Sequence, residues 1–193
     1  MLFMSLFVHL RLHTEFSVVD GTNRIDEIVA AAVADSQPAL AITDLSNLFG
    51  TIKFYKQARG KGLKPLIGAE IFLEGLGADP QALSRVLLLV HNKQGYLNLS
   101  ELIARGYKQN IVKAQAVIKL AWLRELNEGL LLLSGAQAGP VGQALVQGDM
   151  ARARMRRCSW RRSFRTAFTW SCSARDDPKT KLRCLARCNW QRA

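Results

Sequence analysis

The sequence predicts an α/β fold, a sheet of short apolar strands covered by amphipathic helices. Two observations carry this expectation. Runs of four to eight apolar residues recur along the first 150 positions without the strict alternation of a sheet that faces water on one side. Between them lie stretches with apolar residues at helical spacing, closed by Pro or Gly. A third observation concerns charge. The chain has 193 residues and a formal net charge of +12, yet residues 1–150 hold 14 Lys and Arg against 13 Asp and Glu, while residues 151–193 hold 13 against 2. The basic excess, all four cysteines and three of the four tryptophans belong to this tail.

The apolar run Leu6 to Leu10 reads as a first strand entering a polar loop at His9, Arg11 and His13. Ile25, Ile28, Val29 and Ala32 then fall on one helical face over Arg24 to Asp35, with Asp26 and Glu27 in the first turn, where the helix dipole favours acids. Pro38 closes that helix. Ala39 to Thr43 is a brief strand, Asp44 to Gly50 a polar loop, and Thr51 to Arg59 a helix stopped by Gly60 and Gly62.

The same rhythm continues with Pro65 to Leu73 as strand, a Gly-rich link through Gly75 and Gly77, and Val86 to Val90 as strand. Tyr96 to Arg105 and a segment near Leu120 to Leu126 read as helices, Leu130 to Leu133 as strand, and Pro140 as the first position of another helix. Strands separated by helices predict a parallel sheet.

No apolar run reaches the ~18 to 20 residues of a membrane helix. Met1 to Val8 lacks the positive start and cleavage site of a secretory signal. A body without cysteine has no disulfide framework, so the expected location is the cytoplasm, with no membrane partner.

In such sheets, ligand chemistry gathers at the carboxyl ends of strands. His13 and Asp20 follow the first strand, Asp44 the second, Glu70 lies in the third and His91 ends the fourth. Imidazoles and carboxylates at successive strand ends suit zinc, manganese or iron, and are equally the composition of hydrogen-bonded loops. Lys53, Lys56, Arg59, Lys61 and Lys64 form a basic run around the second helix, read as a solvated face.

Three segments carry a resemblance: Phe7-Val8-His9-Leu10-Arg11-Leu12-His13-Thr14-Glu15-Phe16-Ser17 with Asp20-Gly21; Ala39-Leu40-Ala41-Ile42-Thr43-Asp44-Leu45-Ser46-Asn47-Leu48-Phe49-Gly50; and Lys64-Pro65-Leu66-Ile67-Gly68-Ala69-Glu70. Leu87 to Leu99 and Gly129 to Gly135 add to it. In this order they resemble the polymerase-and-histidinol-phosphatase (PHP) domain that begins bacterial DNA polymerase III alpha subunits. The resemblance implies a distorted seven-stranded β/α barrel, which in metal-binding members carries a trinuclear zinc or manganese cluster with phosphoesterase or exonuclease activity.

The family's ligand pattern is only partly present. Its His-x-His is Arg11 and His13, followed by Asp20 at the expected distance. Its Thr-Asp-His is Thr43-Asp44-Leu45, its Gly-x-Glu retains Glu70, a further histidine aligns with Arg85, and Ser-Gly-Cys appears as Ser134-Gly135-Ala136. His13, Asp20 and Glu70 are thus vestigial metal-ligand positions, expected to be unoccupied and paired with Arg11 and Arg85. The expectation is a degenerate PHP domain with no resident cofactor. It would be inactive as nuclease and as polymerase, since the family's nucleotidyl transfer uses Mg2+ in a palm domain not among these residues. In the family this domain is a scaffold and docks the proofreading exonuclease subunit; DNA and the other holoenzyme subunits are partners of the full-length protein.

Five strands are legible before Gln147 against the seven of a full barrel, which predicts an incomplete barrel over residues 1–154 with unpaired edges and marginal stability. From about Met155 an Arg-, Cys- and Trp-rich tail, residues 155–193, loses all periodicity and is expected to be irregular. An out-of-frame reading of GC-rich DNA accounts for such composition. A basic arm that neutralises phosphates and a zinc module built on Cys158, Cys172, Cys184 and Cys188 are the alternatives, as is a stand-alone metal-dependent phosphoesterase for the whole chain.

Overall fold

The computed structural model describes residues 7–18, 20–74, 83–163 and 168–169. After an extended first segment, the elements are α1 (Ile25–Ala34), β1 (Ala39–Ile42), α2 (Thr51–Gly60), β2 (Lys64–Leu73), β3 (Ser84–Val90) and α3 (Lys93–Gln109), then β4 (Ile111–Val112), β5 (Gln115–Ile118), α4 (Leu120–Glu125), β6 (Leu130–Leu133), α5 (Pro140–Val146), α6 (Met150–Ser163) and β7 (Phe168–Thr169).

Strand β2 organises the sheet. Its first half pairs with β1 in parallel and its last two residues pair with β5, also in parallel, so two short strands lie in series along one edge. The other edge carries β3, then β6 and β7. Among the described residues β4 and β7 stand at opposite ends and do not pair, so the sheet stays open.

The alternation along the strands separates two faces. Ala69, Ile71, Leu73, Val86, Leu88, Leu130 and Leu132 pack with Leu99, Leu102 and Leu123 of the covering helices. Leu40, Ile42 and the partly buried Ile67 meet α1 and α2 through Ile25, Val29, Phe54 and Ala58. On the opposite face Ala41, Leu87, Leu89 and Leu133 form a smaller apolar floor with Leu10, Leu66 and Leu131. Glu70 and Arg85 stand on this second face, at one end of the floor.

Several expectations are corrected. The sheet is not all-parallel: β3 runs antiparallel to both β2 and β6. A parallel partner needs a crossover of about a dozen residues or more, and only ten separate Leu73 from Ser84. The Gly75 and Gly77 link lies outside the described residues. Of the first expected strand, Leu6 is also outside them, and the rest makes a single bridge, His9 to Leu40. Ala41 N donates to His9 O at 3.0 Å and Thr43 N to Leu12 O at 2.9 Å, so three steps on the first segment face two on β1. This bulge breaks regular pairing.

The β4–β5 hairpin had no sequence signal, because its turn residues Lys113 and Ala114 hold positive φ of 49° and 62° without the Gly or Asn such turns favour. Helix α3 begins three residues before Tyr96, where Asn92 accepts a hydrogen bond from Gly95 N at 2.9 Å and caps the first turn. The expected break between residues 154 and 155 falls inside α6. Ala153 and Trp160 lie seven residues apart on one side of that helix and are both buried; Trp160 is 3% exposed and packs in the main core, which holds the start of the tail in helical form. Among the described residues no helix is long and apolar enough to cross a membrane.

Candidate functional site: an ion-pair lattice at the strand ends

The antiparallel β3 decides which residues meet. Reversal brings its first residues, Ser84 and Arg85, to the end where β2 and β6 finish, and carries His91 to the far end of the sheet. His91 therefore does not join the other polar residues at the strand ends. Glu70 pairs opposite Leu87 and Phe72 opposite Arg85, so Glu70, Phe72 and Arg85 share a face. The Arg85 guanidinium lies 5.0 Å from the Phe72 ring centroid, 3.2 Å from Asp20 Oδ2 and 3.9 Å from Glu70 Oε2.

The bulge in the first segment delivers the remaining groups. Arg11 Nη2 donates to Glu70 Oε2 at 2.9 Å. His13 Nδ1 lies 2.9 Å from Asp20 Oδ1, and its Nε2 lies 2.8 Å from Glu70 Oε2, an ion-pair contact off the line of the ring N–H. Glu70 is 1% exposed and thus faces His13, Arg11 and Arg85 from within the protein.

A second tier fixes the loops. Thr14 N and Oγ1 both donate to the Asp44 carboxylate, at 2.6 and 2.8 Å. Ser17 Oγ donates to Asp20 Oδ1 at 2.8 Å and accepts from Leu45 N at 3.0 Å. Gly21 lies so close to Thr14 that an added Cβ would strike the Thr14 carbonyl oxygen. Thr14 and Ser17 did not stand out in the sequence: Asp44 lies 30 residues from Thr14 and Leu45 28 from Ser17, although Ser17 also bonds Asp20 three residues on.

The charges reinforce one another. Burial opposes protonation of His13, but Glu70 and then Asp20 outweigh it and hold its pKa above the ordinary histidine value. Burial also pushes Glu70 upward; His13 and Arg11 overcome this and keep it below the usual glutamate range. Asp20 likewise lies below its ordinary value, the Ser17 hydrogen bond, His13 and Arg85 overcoming burial. Asp44 is different: burial raises it despite the two hydrogen bonds from Thr14.

A metal cluster does not fit these residues. Both His13 nitrogens already contact carboxylates, and two guanidinium groups stand where further cations would sit. Leu45, at a family ligand position, is buried and bridges Glu70 through its backbone alone. Ala136 lies in the loop after β6, which packs on the Arg85 backbone through Ala138 O at 2.9 Å. Among the described residues no three His, Cys, Asp or Glu side chains are arranged to hold a metal ion. Of the four tail cysteines, Cys158 is exposed on α6; Cys172, Cys184 and Cys188 lie outside the described residues.

Sequence comparison places these residues in context. The chain is 44% identical over 162 residues to the DNA polymerase III subunit alpha of Pseudomonas fluorescens, covering 84% of this chain and 14% of that protein. It is 43% identical over 147 residues to the DNA polymerase III subunit alpha of Escherichia coli K12, covering 75% of this chain and 12% of that protein. Among solved structures, a Bifidobacterium adolescentis protein provisionally assigned as a metal-dependent phosphoesterase superposes with a TM-score of 0.50 at 12% identity, over 93% of this chain and 95% of that one. The chain thus spans about one-seventh of its polymerase relatives, while the superposition takes in nearly all of the Bifidobacterium chain. The PHP domain model matches residues 9–168, thirteen residues past the point at which the tail was expected to begin, and on that match the chain belongs to the PHP domain family.

Proposed function

We propose that this chain serves as the PHP module of a bacterial DNA polymerase III alpha subunit, a scaffold and docking platform rather than a metal-dependent nuclease. Its expected partners are a proofreading exonuclease subunit and the other holoenzyme subunits, its setting the cytoplasm, and its contribution to replication structural. The identity to alpha subunits of two genera supports the assignment.

The observation that carries the non-catalytic part is the pairing of Arg11 with Glu70 and of Arg85 with Asp20. Hydrolysis of a phosphodiester at such a site needs a polarising cation and an activated water. Here the carboxylates that would hold the cation are already neutralised by arginines that do not lose their charge. Both ring nitrogens of His13 face carboxylates, Asp20 and Glu70, so neither is turned toward an attacking water as a general base must be. The phosphoesterase reading has only likeness of fold on its side, and fold does not carry activity.

The test is metal content and exonuclease turnover of the purified chain, with manganese or zinc supplied. The expected result is less than one bound metal per chain and no turnover. Two or more bound metals, with turnover abolished by His13→Ala, would overturn the reading.

A further inference from the structure

The outer face of α2 is a second concentration of chemistry, away from the ion-pair lattice. Residues 45–69 contain no acid and five cations: Lys53, Lys56, Arg59, Lys61 and Lys64. This is more than a third of the basic residues of a body whose net charge is only +1. Lys53 is engaged by Glu15 at 3.0 Å. Among the described residues the other four make no ion pair, although Arg59 lies 5.9 Å from the Tyr55 ring centroid. Phe54 and Ala58 turn inward and are fully buried, which leaves Ile52, Tyr55, Lys56 and Arg59 on the outward side at i, i+3, i+4 and i+7.

That outward stripe is apolar at one end and cationic at the other. Phe49, just before the helix, is 71% exposed, Ile52 62% and Tyr55 47%. Large exposed apolar side chains scattered singly need no explanation, but three within seven residues, continuous with unpaired cations, have the composition of an interface. The surface is a convex helix face rather than a groove, and Ile52 offers no ring for a base, which argues against a single nucleic-acid strand. Ridges on such a face suit the apolar stripe of another helix.

We infer that the outer face of α2, from Phe49 to Arg59, docks an acidic, amphipathic polypeptide segment whose apolar residues cover Phe49, Ile52 and Tyr55 while its carboxylates meet Lys56, Arg59 and Lys61. This assigns a surface to the docking role and rests on that reading. Excess cations accelerate encounter with an acidic partner, and the apolar residues set its lifetime.

The experiment uses the full chain at physiological salt and a fluorescein-labelled 15-residue peptide with Glu on one helical face and Leu and Phe at i, i+3, i+4 and i+7 on the other. Controls are a scrambled peptide of the same composition and a labelled 12-nucleotide oligo-dT. Anisotropy titration should show binding of the patterned peptide, weakened about tenfold or more by the double variant Lys56→Glu/Arg59→Glu and about fivefold by Ile52→Ser. All three positions are exposed, so circular dichroism and thermal melts of the variants should match the parent. Equal binding of the scrambled peptide, or binding of the patterned one unchanged by the α2 variants, would overturn the inference and assign the attraction to the basic tail. Preferential binding of oligo-dT, lost in the same variants, would overturn it in favour of nucleic acid. Metal content tests the non-nuclease reading separately, so this surface can fail while that reading stands.

Discussion

Arg11 and Glu70, 59 residues apart in sequence, meet at 2.9 Å, and the pair is asymmetric: the Glu70 side chain is 1% exposed and that of Arg11 54%. The carboxylate is committed to the interior while its partner reaches it from the solvent side. Loss of the arginine therefore leaves a buried charge with one fewer counter-ion. Breaking a fully buried pair costs about 3–5 kcal/mol. Arg11 is half in water and His13 remains on the same oxygen, so Arg11→Ala should cost about 1–2 kcal/mol. Urea unfolding of Arg11→Ala, Glu70→Gln and the double variant tests this; additive losses would mean that the contact contributes nothing.

The pH dependence of stability follows from the same cluster. His13 has a folded pKa above its ordinary 6.5, so its contribution is complete below pH 6.5 and is lost as pH rises through the folded value. Glu70 and Asp20 are depressed below 4.5 and 3.8; their contribution is complete above those values and is lost as pH falls through the folded ones. Asp44, raised above 3.8, works against them: its contribution is complete below pH 3.8 and is lost as pH rises through its folded value. Thermal melts should therefore peak between about pH 5 and 6.5. In His13→Gln the loss of stability above pH 6.5 should disappear while the acid limb stays; a parent melt flat from pH 6 to 9 would contradict the account.

Thr14 is fully buried and gives Asp44 two hydrogen bonds. Thr14→Val keeps the shape and the backbone donor but removes the hydroxyl, leaving a carboxylate oxygen without its partner. The expected cost is about 1–3 kcal/mol. Thr14→Ser, which restores the donor, should recover most of it, and denaturant midpoints for the two variants make the comparison.

Trp160 lies five residues beyond Met155, yet it packs against the main core. Trp160→Ala should destabilise the chain by about 3–5 kcal/mol, as large aromatic deletions from a core do. Met155→Ala, at an exposed position on the same helix, serves as a surface reference. A melt unchanged by Trp160→Ala would mean that α6 does not contribute to the fold.

Much of the fold was legible because apolar periodicity is a local signal. It located α1, β1, α2 and β6 within a residue or two of their observed ends, and the first residue of α5. What escaped depended on geometry set elsewhere. The direction of β3 follows from the shortness of its connection, the β4–β5 hairpin from two non-glycine residues at positive φ, and the helical start of the tail from the single buried Trp160. For the site, family spacing pointed to His13, Asp20 and Glu70 and to the arginines beside them. The supporting hydroxyls of Thr14 and Ser17 did not stand out, because a threonine or serine in a loop looks the same whether or not a polar group from beyond a distant strand comes to meet it.

The lattice of Arg11, His13, Asp20, Glu70 and Arg85 has a consequence for how such a sequence can change. When His13 is protonated, three cations stand against Asp20, Glu70 and Asp44. Replacing either arginine by histidine alone removes a fixed positive charge before any metal ion is held in its place, leaving the buried carboxylates under-compensated. A route toward a metal-binding arrangement thus crosses less stable intermediates. Positions 11 and 85 should accordingly change together while 20 and 70 stay acidic, so that arginine and metal exchange as one linked step and the present arrangement acts close to an evolutionary ratchet.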